Sequence, residues 1–399
     1  MRNLYLLLIS LLCFPCYVHG QSLLRMPFKK APPSRTYSKF QVSVQLERRA
    51  AASFKKAAVQ QSTLNHERAF TIGEPIHHVL HPTTLDPKLI YPNNPLLTTP
   101  RQTAHYMTAR NNRLFLNERR RVEKLWAQID EQLPRFQQAA KETPQPQQPI
   151  NWLAKQISPQ INYLFVGEVH GYKEIRHSVQ ELLTALRAEQ PNREIFLFTE
   201  FLPEELHYQS HQDANNVPIY LHQHLPIWEQ AIEENISVIG LEPDFIVEDD
   251  CDVFFLNRKG QYRKESTWAT LEGVRIRNER WNSLLKQYRK QHPDALFIVY
   301  TGSGHSLYNY PFTLSTQYPQ QNTYVVTFSP DKHLKLTGGN SMFSAAQYVP
   351  TNYTGPLEKL LPNIGFPQPI LQLKDHSLTQ LAGFDVRIKV QVTLDTLKQ

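Results

Sequence analysis

From residue 150 onward, short apolar runs alternate with segments of helical periodicity, and this alternation limits the possible folds more than any other feature. The apolar runs lie at 161–166, 195–199, 236–241, 295–300 and 323–328. The segments with apolar residues at helical spacing lie at 173–189, 226–235 and 274–290. Strands that alternate with helices are typical of βαβ units. The sequence therefore predicts an α/β fold with a mostly parallel β-sheet flanked by helices.

A last strand is predicted near the C-terminus. Residues 384–392 (FDVRIKVQV) alternate between apolar and polar side chains. Alternation of this kind is typical of a strand with one face toward solvent. We therefore expect an edge strand here, and its removal would expose a sheet edge.

The region before residue 150 differs from the rest of the chain in composition and periodicity. The chain as a whole has the composition of a globular protein, with 41% hydrophobic and 20% charged residues. Its net charge of +7 is concentrated in residues 21–149. Residues 41–61 could form a basic helix or a solvated tether. Residues 103–141 read as a helix whose charged run 118–121 is either an exposed face or a contact for an anionic partner. The sequence 143–149 (TPQPQQP) predicts a linker, so we expect a partly helical basic N-terminal extension at 21–149 and an α/β domain at 150–399.

The first twenty residues read as a secretory signal peptide. Arg2 supplies a positive charge, 4–16 is apolar, and Val18 and Gly20 fit the small-residue rule for cleavage before Gln21. The apolar run is shorter than the roughly 20 residues that span a bilayer, so the alternative of a membrane anchor is less favoured. The sequence thus predicts a secreted or periplasmic protein with no transmembrane segment after cleavage. Cys251 would then be the single remaining cysteine, which excludes an internal disulfide.

Polar residues follow four of the predicted strands directly. They are Gly167-Glu168-Val169-His170, Glu200, Glu242 and Gly302-Ser303-Gly304-His305. Ligands of open parallel sheets bind beyond the carboxyl ends of the strands. We therefore expect these side chains to converge on one site, although they lie far apart in the sequence.

Carboxylates and imidazoles transfer protons near neutral pH or hold a divalent metal. Each of these residues also has a simpler explanation: capping of a helix for Glu200 or Glu242, and a loop position for the histidines. Ser303 is interpreted as a loop residue, because the sequence lacks the Gly-x-Ser-x-Gly of a nucleophile elbow. The histidines of 207–224 show no ligand spacing and are interpreted as surface residues.

These motifs resemble those of the superfamily that contains the Tiki proteins, the ChaN haem-binding proteins and the erythromycin esterases. The residues that carry the resemblance are Gly167-Glu168-Val169-His170, Glu200, Arg277-Asn278-x-x-Trp281, Gly302-x-Gly304-His305 and Ala382-Gly383-Phe384-Asp385-Val386. The likeness covers roughly 155–330 and the final strand. It implies an erythromycin-esterase/ChaN-like α/β fold with water activation by Glu and His, metal dependence or haem binding, according to the branch. Glu168 stands where Tiki proteins tend to have Thr, which moves this chain toward the other two branches.

The leading hypothesis is a hydrolase of an ester or amide. His170 or Glu168 would take a proton from water, His305 or Arg277 would stabilise the oxyanion, and Glu200 would complete the catalytic set. Arg176 and Glu242 are the candidates for contacting a small-molecule or peptide substrate. Metal binding by Glu168, His170, Glu200 and His305 stays open.

Two alternatives belong to other classes. The first is a haem- or iron-binding uptake protein that uses His170 and His305 as ligands. The second is a binding protein that acts through the basic extension, although nucleic acid is not the favoured partner. The sequence leaves the cofactor and the oligomeric state undetermined.

The signal sequence generates the first testable prediction. Intact-mass measurement of the exported protein should give a chain that begins at or near Gln21 and carries one free thiol. A retained N-terminus or a lipid adduct would contradict this cleavage site.

Overall fold

The computed structural model describes residues 75–393 apart from 171, 205, 211, 214–216, 218, 244–250, 257–261 and 332–367. Residues 55–399 form one compact unit, and the unit before it, 1–54, lies outside the described residues, as does the predicted signal peptide. Within the described part, no helix is both long enough and apolar enough to cross a membrane.

The centre of the molecule is an eight-stranded sheet in the order β10-β11-β9-β2-β8-β3-β5-β4. Its strands are β2 (Tyr163–Glu168), β3 (Ile195–Pro203), β4 (His207–Tyr208), β5 (Ser237–Glu242), β8 (Leu296–Gly302), β9 (Thr323–Pro330), β10 (Ile370–Gln372) and β11 (Val386–Val390). Only β10 and β4, at the two edges, pair antiparallel with their neighbours. The six strands between them are parallel to one another. A separate small antiparallel sheet has the order β1 (His78–Val79), β6 (Asp252–Leu256) and β7 (Tyr262–Ser266).

Helices cover both faces of the large sheet. The bounds are α1 (Pro87–Ile90), α2 (Pro100–Glu131), α3 (Leu133–Glu142), α4 (Pro149–Gln156), α5 (Lys173–Glu189), α6 (Leu225–Glu233), α7 (Leu271–Gln291), α8 (Ser303–Ser306) and α9 (His376–Ala382). One core contains buried residues of α4, α5 and α6 with one face of the strands. The other core contains residues of α2, α3, α7 and α9 with the opposite face. Parallel strands buried on both faces read as continuous apolar runs, which explains the sequence pattern.

The α/β class with a mostly parallel sheet between helices is confirmed. The five predicted strands correspond to β2, β3, β5, β8 and β9, and the three predicted helices correspond to α5, α6 and α7. The predicted helix 103–141 is divided into α2 and α3, because Pro134 lies in the first turn of α3 and has no N–H to continue the ladder.

The prediction that 384–392 forms an edge strand is wrong. β11 pairs with β9 on one side and with the short strand β10 on the other. The alternation misled because Arg387, although charged, is buried and donates from Nε to Ser329 Oγ at 2.7 Å. β10 itself is three residues long, too short to stand out as a strand in the sequence.

Side chains from the predicted linker cover the outer edge of β10. Gln145 Nε2 donates to Ile370 O at 3.0 Å, and Thr143 Oγ1 accepts from Gln372 N at 3.1 Å. Thr143 Oγ1 also lies 3.2 Å from Gln372 O. These contacts satisfy backbone groups that an edge strand would otherwise offer to another chain. The predicted boundary at residue 150 therefore follows a segment that is attached to the sheet.

The N-terminal helices also contribute to the core. Ile129 of α2 and Phe136 of α3 are fully buried against the same face of the sheet as Trp281. The run 118–121 is not simply an exposed face, because Glu118 is buried. Arg121 bonds to Glu118 and donates from Nη2 to Asn309 O at 2.5 Å.

This packing generates a stability prediction. Phe136→Ala should lower the free energy of unfolding by about 3–5 kcal/mol, because it removes a ring that is 0% exposed and leaves a cavity. Urea denaturation of the full chain measures the change. Leu116→Ala on α2 is the control, since Leu116 is 56% exposed and its truncation should change stability by less than about 0.5 kcal/mol. Equal effects of the two substitutions would mean that α3 is not part of the core.

Candidate functional site

Four neighbouring strands, β2, β8, β3 and β5, end at the same edge of the sheet. The register places Glu168 beside Gly302, and places Thr199, which precedes Glu200, beside Tyr300. The short helix α8 begins directly after β8. This edge therefore carries the side chains of Glu168, Glu200, Glu242 and His305, at the position where ligands of open parallel sheets bind.

The first part of the site is a hydrogen-bonded chain from Tyr300 through Glu168 to His170. Glu168 is buried, accepts from the Tyr300 hydroxyl on Oε2, and lies 2.9 Å from His170 Nδ1 through Oε1. Desolvation opposes ionisation of Glu168, but the hydrogen bond and charge of His170 hold its pKa below the ordinary value. Desolvation likewise disfavours charged His170, while Glu168 and Glu200 together raise the pKa of His170. The pair therefore favours an ionised carboxylate that orients the imidazole.

Glu200 lies between the two histidines of the site. Its Oε2 accepts from the backbone N–H of Gly302 at 2.9 Å. Its Oε1 is 3.5 Å from His170 Nε2, and its Oε2 is 3.8 Å from His305 Nε2. A Cβ at position 302 would lie 2.6 Å from His170 Nε2, so only glycine allows the imidazole to approach this strand.

Arg277 on α7 forms a two-point ion pair with Glu242. Nε donates to Oε1 at 3.1 Å, and Nη2 donates to Oε2. Desolvation opposes the charge of Arg277, but Glu242 and then Glu200 raise its pKa. The guanidinium also lies over the Trp281 ring, 4.9 Å from its centroid. Glu242 thus holds Arg277 in place, and both of its oxygens are occupied by that role.

His305 is buried against α7. Its Nδ1 lies 2.7 Å from Asn278 Oδ1, its Nε2 lies 3.3 Å from Arg277 Nη1, and its ring centroid lies 4.7 Å from that of Trp281. Burial and the positive charges of Arg277 and His170 lower the pKa of His305 well below its ordinary value. The two histidines of the site are therefore driven in opposite directions, His170 toward the charged form and His305 toward the neutral form.

The structure brings the predicted residues Glu168, His170, Glu200, Glu242, Arg277 and His305 into one connected cluster. It does not bring Arg176 into this cluster. Among the described residues, Arg176 has no hydrogen-bond partner for its buried Nη1. Its charge nonetheless acts on two nearby groups. Burial and Glu168 raise the pKa of Tyr300 well above its ordinary value and Arg176 opposes this rise, whereas burial lowers the pKa of His224 and Arg176 adds to this effect. Arg176 therefore lies near the Tyr300 side of the site rather than the His305 side.

Three residues of the site have roles that the sequence did not predict, although Asn278 belongs to the motif Arg277-Asn278-x-x-Trp281. Tyr300 ends an apolar strand, and Asn278 follows Arg277, but nothing in the sequence showed which way either side chain points. His224, interpreted as a surface residue, is only 3% exposed and stacks on Phe201 with ring centroids 3.8 Å apart. Phe201 in turn meets His170 edge-on at 5.3 Å. The prediction of a surface position for His224 was wrong, because its burial comes from tertiary contacts with residues such as Phe201, which the sequence near His224 does not show.

The arrangement does not fit a divalent metal. In the part of the chain that the structure describes, no group of three or more His, Cys, Asp and Glu side chains is placed to hold one. Nε2 of His305 faces the Arg277 guanidinium, and a metal bound at that nitrogen would lie beside a fixed positive charge.

No protein-family model and no curated protein matches this chain. Solved structures show a distant likeness. The type III effector HopBA1 is 14% identical, with 51% of this chain and 93% of that chain covered, at a TM-score of 0.35. A protein from Bacillus cereus is 12% identical, with 64% and 97% covered, at 0.32. RRSP, a MARTX toxin effector domain from Vibrio vulnificus CMCP6, is 12% identical, with 62% and 51% covered, at 0.32. At these TM-scores the likeness carries neither a family nor an activity over to this chain.

The burial of His224 predicts how stability depends on pH. Burial lowers the pKa of His224 from 6.5 to about 3, so the unfolded chain binds a proton in this interval that the folded chain does not. Stability should therefore fall as the pH falls from 6.5 toward 3. His224→Phe, which keeps a ring against Phe201, should make this fall shallower in urea unfolding. His177→Gln, at a site with a 70% exposed side chain, is the control. Parallel pH profiles for His224→Phe and the unaltered chain would contradict this origin.

Proposed function

We propose that this protein is an exported hydrolase of the Tiki/ChaN/erythromycin esterase superfamily that cleaves an ester or amide with water activated by the Glu168–His170 pair. The observation that carries the proposal is the chain from Tyr300 through Glu168 to His170, which ends in a side chain that is 48% exposed. A carboxylate that accepts from one imidazole nitrogen leaves the other nitrogen as a base. This is the usual construction of a general base in hydrolases.

The proton balance of the first step follows from the tautomer. Ionised Glu168 can only accept, so neutral His170 carries its proton on Nδ1 and a lone pair on Nε2. Nε2 takes a proton from water as the water oxygen bonds to the substrate carbonyl carbon. The resulting imidazolium lies between Glu168 and Glu200, which favour it. It then returns the proton to the leaving oxygen or nitrogen as the bond from the carbonyl carbon breaks.

Water is favoured as the nucleophile because the nearby hydroxyl groups are already engaged. Ser303 Oγ donates to Glu168 O at 3.0 Å. Thr301 Oγ1 lies 2.6 Å from Ser306 Oγ, and the Tyr300 hydroxyl donates to Glu168. All three hydroxyl-bearing residues of this strand end, Tyr300, Thr301 and Ser303, are buried.

Arg277 is the proposed stabiliser of the oxyanion. A guanidinium has five N–H groups, and Glu242 accepts from only two of them. Fixed in place before the substrate arrives, the remaining donors need little reorganisation when negative charge develops on the carbonyl oxygen. The proposed export to the periplasm or the exterior follows from the signal-like residues 1–20.

Hydrolysis of a panel of chromogenic acyl esters and amides tests the proposal. His170→Ala should lower kcat at least about 100-fold, since loss of a general base costs that much or more. Glu168→Gln should lower it in the same direction, because the amide does not fix the imidazole tautomer or stabilise its charged form. His177→Ala, at an exposed histidine on α5, should leave turnover unchanged.

Two results would contradict the proposal. The first is turnover that survives His170→Ala while a folded-state melt is unchanged. The second is the absence of hydrolysis across the panel combined with a Soret band on haem titration that His170→Ala abolishes, which would favour the haem-binding alternative.

A further inference from the structure

Asn278, on α7, has both ends of its amide engaged inside the protein. It is 3% exposed; Nδ2 lies 2.8 Å from Phe312 O, and Oδ1 lies 2.7 Å from His305 Nδ1. A backbone carbonyl can only accept a hydrogen bond, so the NH₂ group must face Phe312. The contact with Phe312 therefore determines which way the amide points, and the carbonyl oxygen of Asn278 faces His305.

The carbonyl of Phe312 is itself held in an unusual conformation. Phe312 has a φ of 60°, in the left-handed region that bulky residues rarely adopt. Such a conformation persists where surrounding contacts impose it, and it often marks a functional segment. Close by in the same loop, Leu314 N donates to His305 O at 3.0 Å. The loop after α8 is thus fixed at both His305 and Phe312.

These contacts determine the protonation state of His305. Because Asn278 Oδ1 is an acceptor, His305 Nδ1 must carry a proton. At the other nitrogen, Nε2 lies 3.3 Å from Arg277 Nη1, and a guanidinium nitrogen can only donate. A proton on Nε2 would point at an N–H group of the Arg277 cation and be repelled by it. Nε2 therefore carries a lone pair.

We infer that Asn278 is a positioning residue that holds His305 as the neutral Nδ1–H tautomer, so that His305 presents an acceptor to the site and not a donor. The Nε2 atom lies 3.8 Å from Glu200 Oε2, another acceptor. The lone pair of Nε2 accepts from Arg277 Nη1, so His305 has no proton to offer to Glu200 or to a substrate oxygen. A histidine without a proton on Nε2 cannot donate to an oxyanion, so the inference assigns the oxyanion to Arg277 alone, where the sequence left His305 and Arg277 as alternatives. This assignment rests on the proposed function.

Nitrogen NMR tests the inference without a substrate. Long-range proton–nitrogen spectra of the full chain, labelled with nitrogen-15 in histidine, distinguish the two neutral tautomers and the imidazolium by their nitrogen shifts. His305 is assigned by the signals that disappear in His305→Gln. At neutral pH, His305 should show one protonated nitrogen at Nδ1 and one unprotonated nitrogen at Nε2. A proton on Nε2, in either the other tautomer or the imidazolium, would overturn the inference.

Variants of Asn278 test which residue sets the tautomer. Asn278→Ala removes the acceptor of the Nδ1–H and should shift the His305 nitrogen signals, because only Arg277 then acts on the ring nitrogens. Asn278→Asp keeps an acceptor and should keep the proton on Nδ1. Asn282→Ala is the control, because Asn282 lies one turn along α7 and bonds to Tyr318 instead. A His305 spectrum in folded Asn278→Ala identical to that of the unaltered chain would overturn the role of Asn278.

If Asn278→Ala does not fold, Asn278→Asp carries the test, and loss of the Nδ1 proton in that variant overturns the inference. Failure of the inference is distinguishable from failure of the proposed function. The tautomer is read from the spectrum, whether or not any ester or amide is hydrolysed.

Discussion

The site depends on the position of one carboxylate, that of Glu200, between two imidazoles. Its Oε2 is fixed by the backbone N–H of Gly302, and its two oxygens lie 3.5 Å from His170 and 3.8 Å from His305. Three carboxylates at one sheet edge would repel one another if they were alone. Here each has its own donor: Glu168 has Tyr300 and His170, Glu200 has Gly302, and Glu242 has Arg277. For Glu242 the donors offset only part of the effect of burial, which raises its pKa to about 7 despite Arg277.

The N-terminal helices support the half of the site that contains Arg277, Asn278 and His305. Arg110 of α2 and Tyr91 each bond to buried Glu272 at 2.8 Å, in the first turn of α7. Arg121, also on α2, donates to Asn309 O in the loop that follows His305. α2 therefore contacts both elements that carry this half. The basic residues of this helix have a structural use, in addition to any contact with a partner.

The sequence predicted where the site lies better than it predicted which side chains of the site bond to one another. The apolar runs predict parallel strands, and parallel strands bring their carboxyl ends to one edge of the sheet. The convergence of Glu168, Glu200 and His305 was therefore predictable from the sequence. The pairing of Arg277 with Glu242 depends on how α7 packs, and no spacing encodes it. His224 and β10 were misjudged or missed for the same reason, since burial of a lone histidine and pairing of a three-residue strand are decided by tertiary contacts. The direction in which Arg176 points was equally unreadable.

The most direct measurement of the central claim is the NMR titration of His170 in Glu200→Gln. Glu200 is one of the charges that raise the pKa of His170 above 6.5, so its neutralisation should lower that pKa. Glutamine keeps the shape of the side chain and an acceptor for Gly302, so the fold should be retained. Glu181→Gln, beside exposed His177, is the matched control and should leave His170 unchanged. An unchanged pKa of His170 in Glu200→Gln would contradict the view that Glu200 couples the two halves of the site.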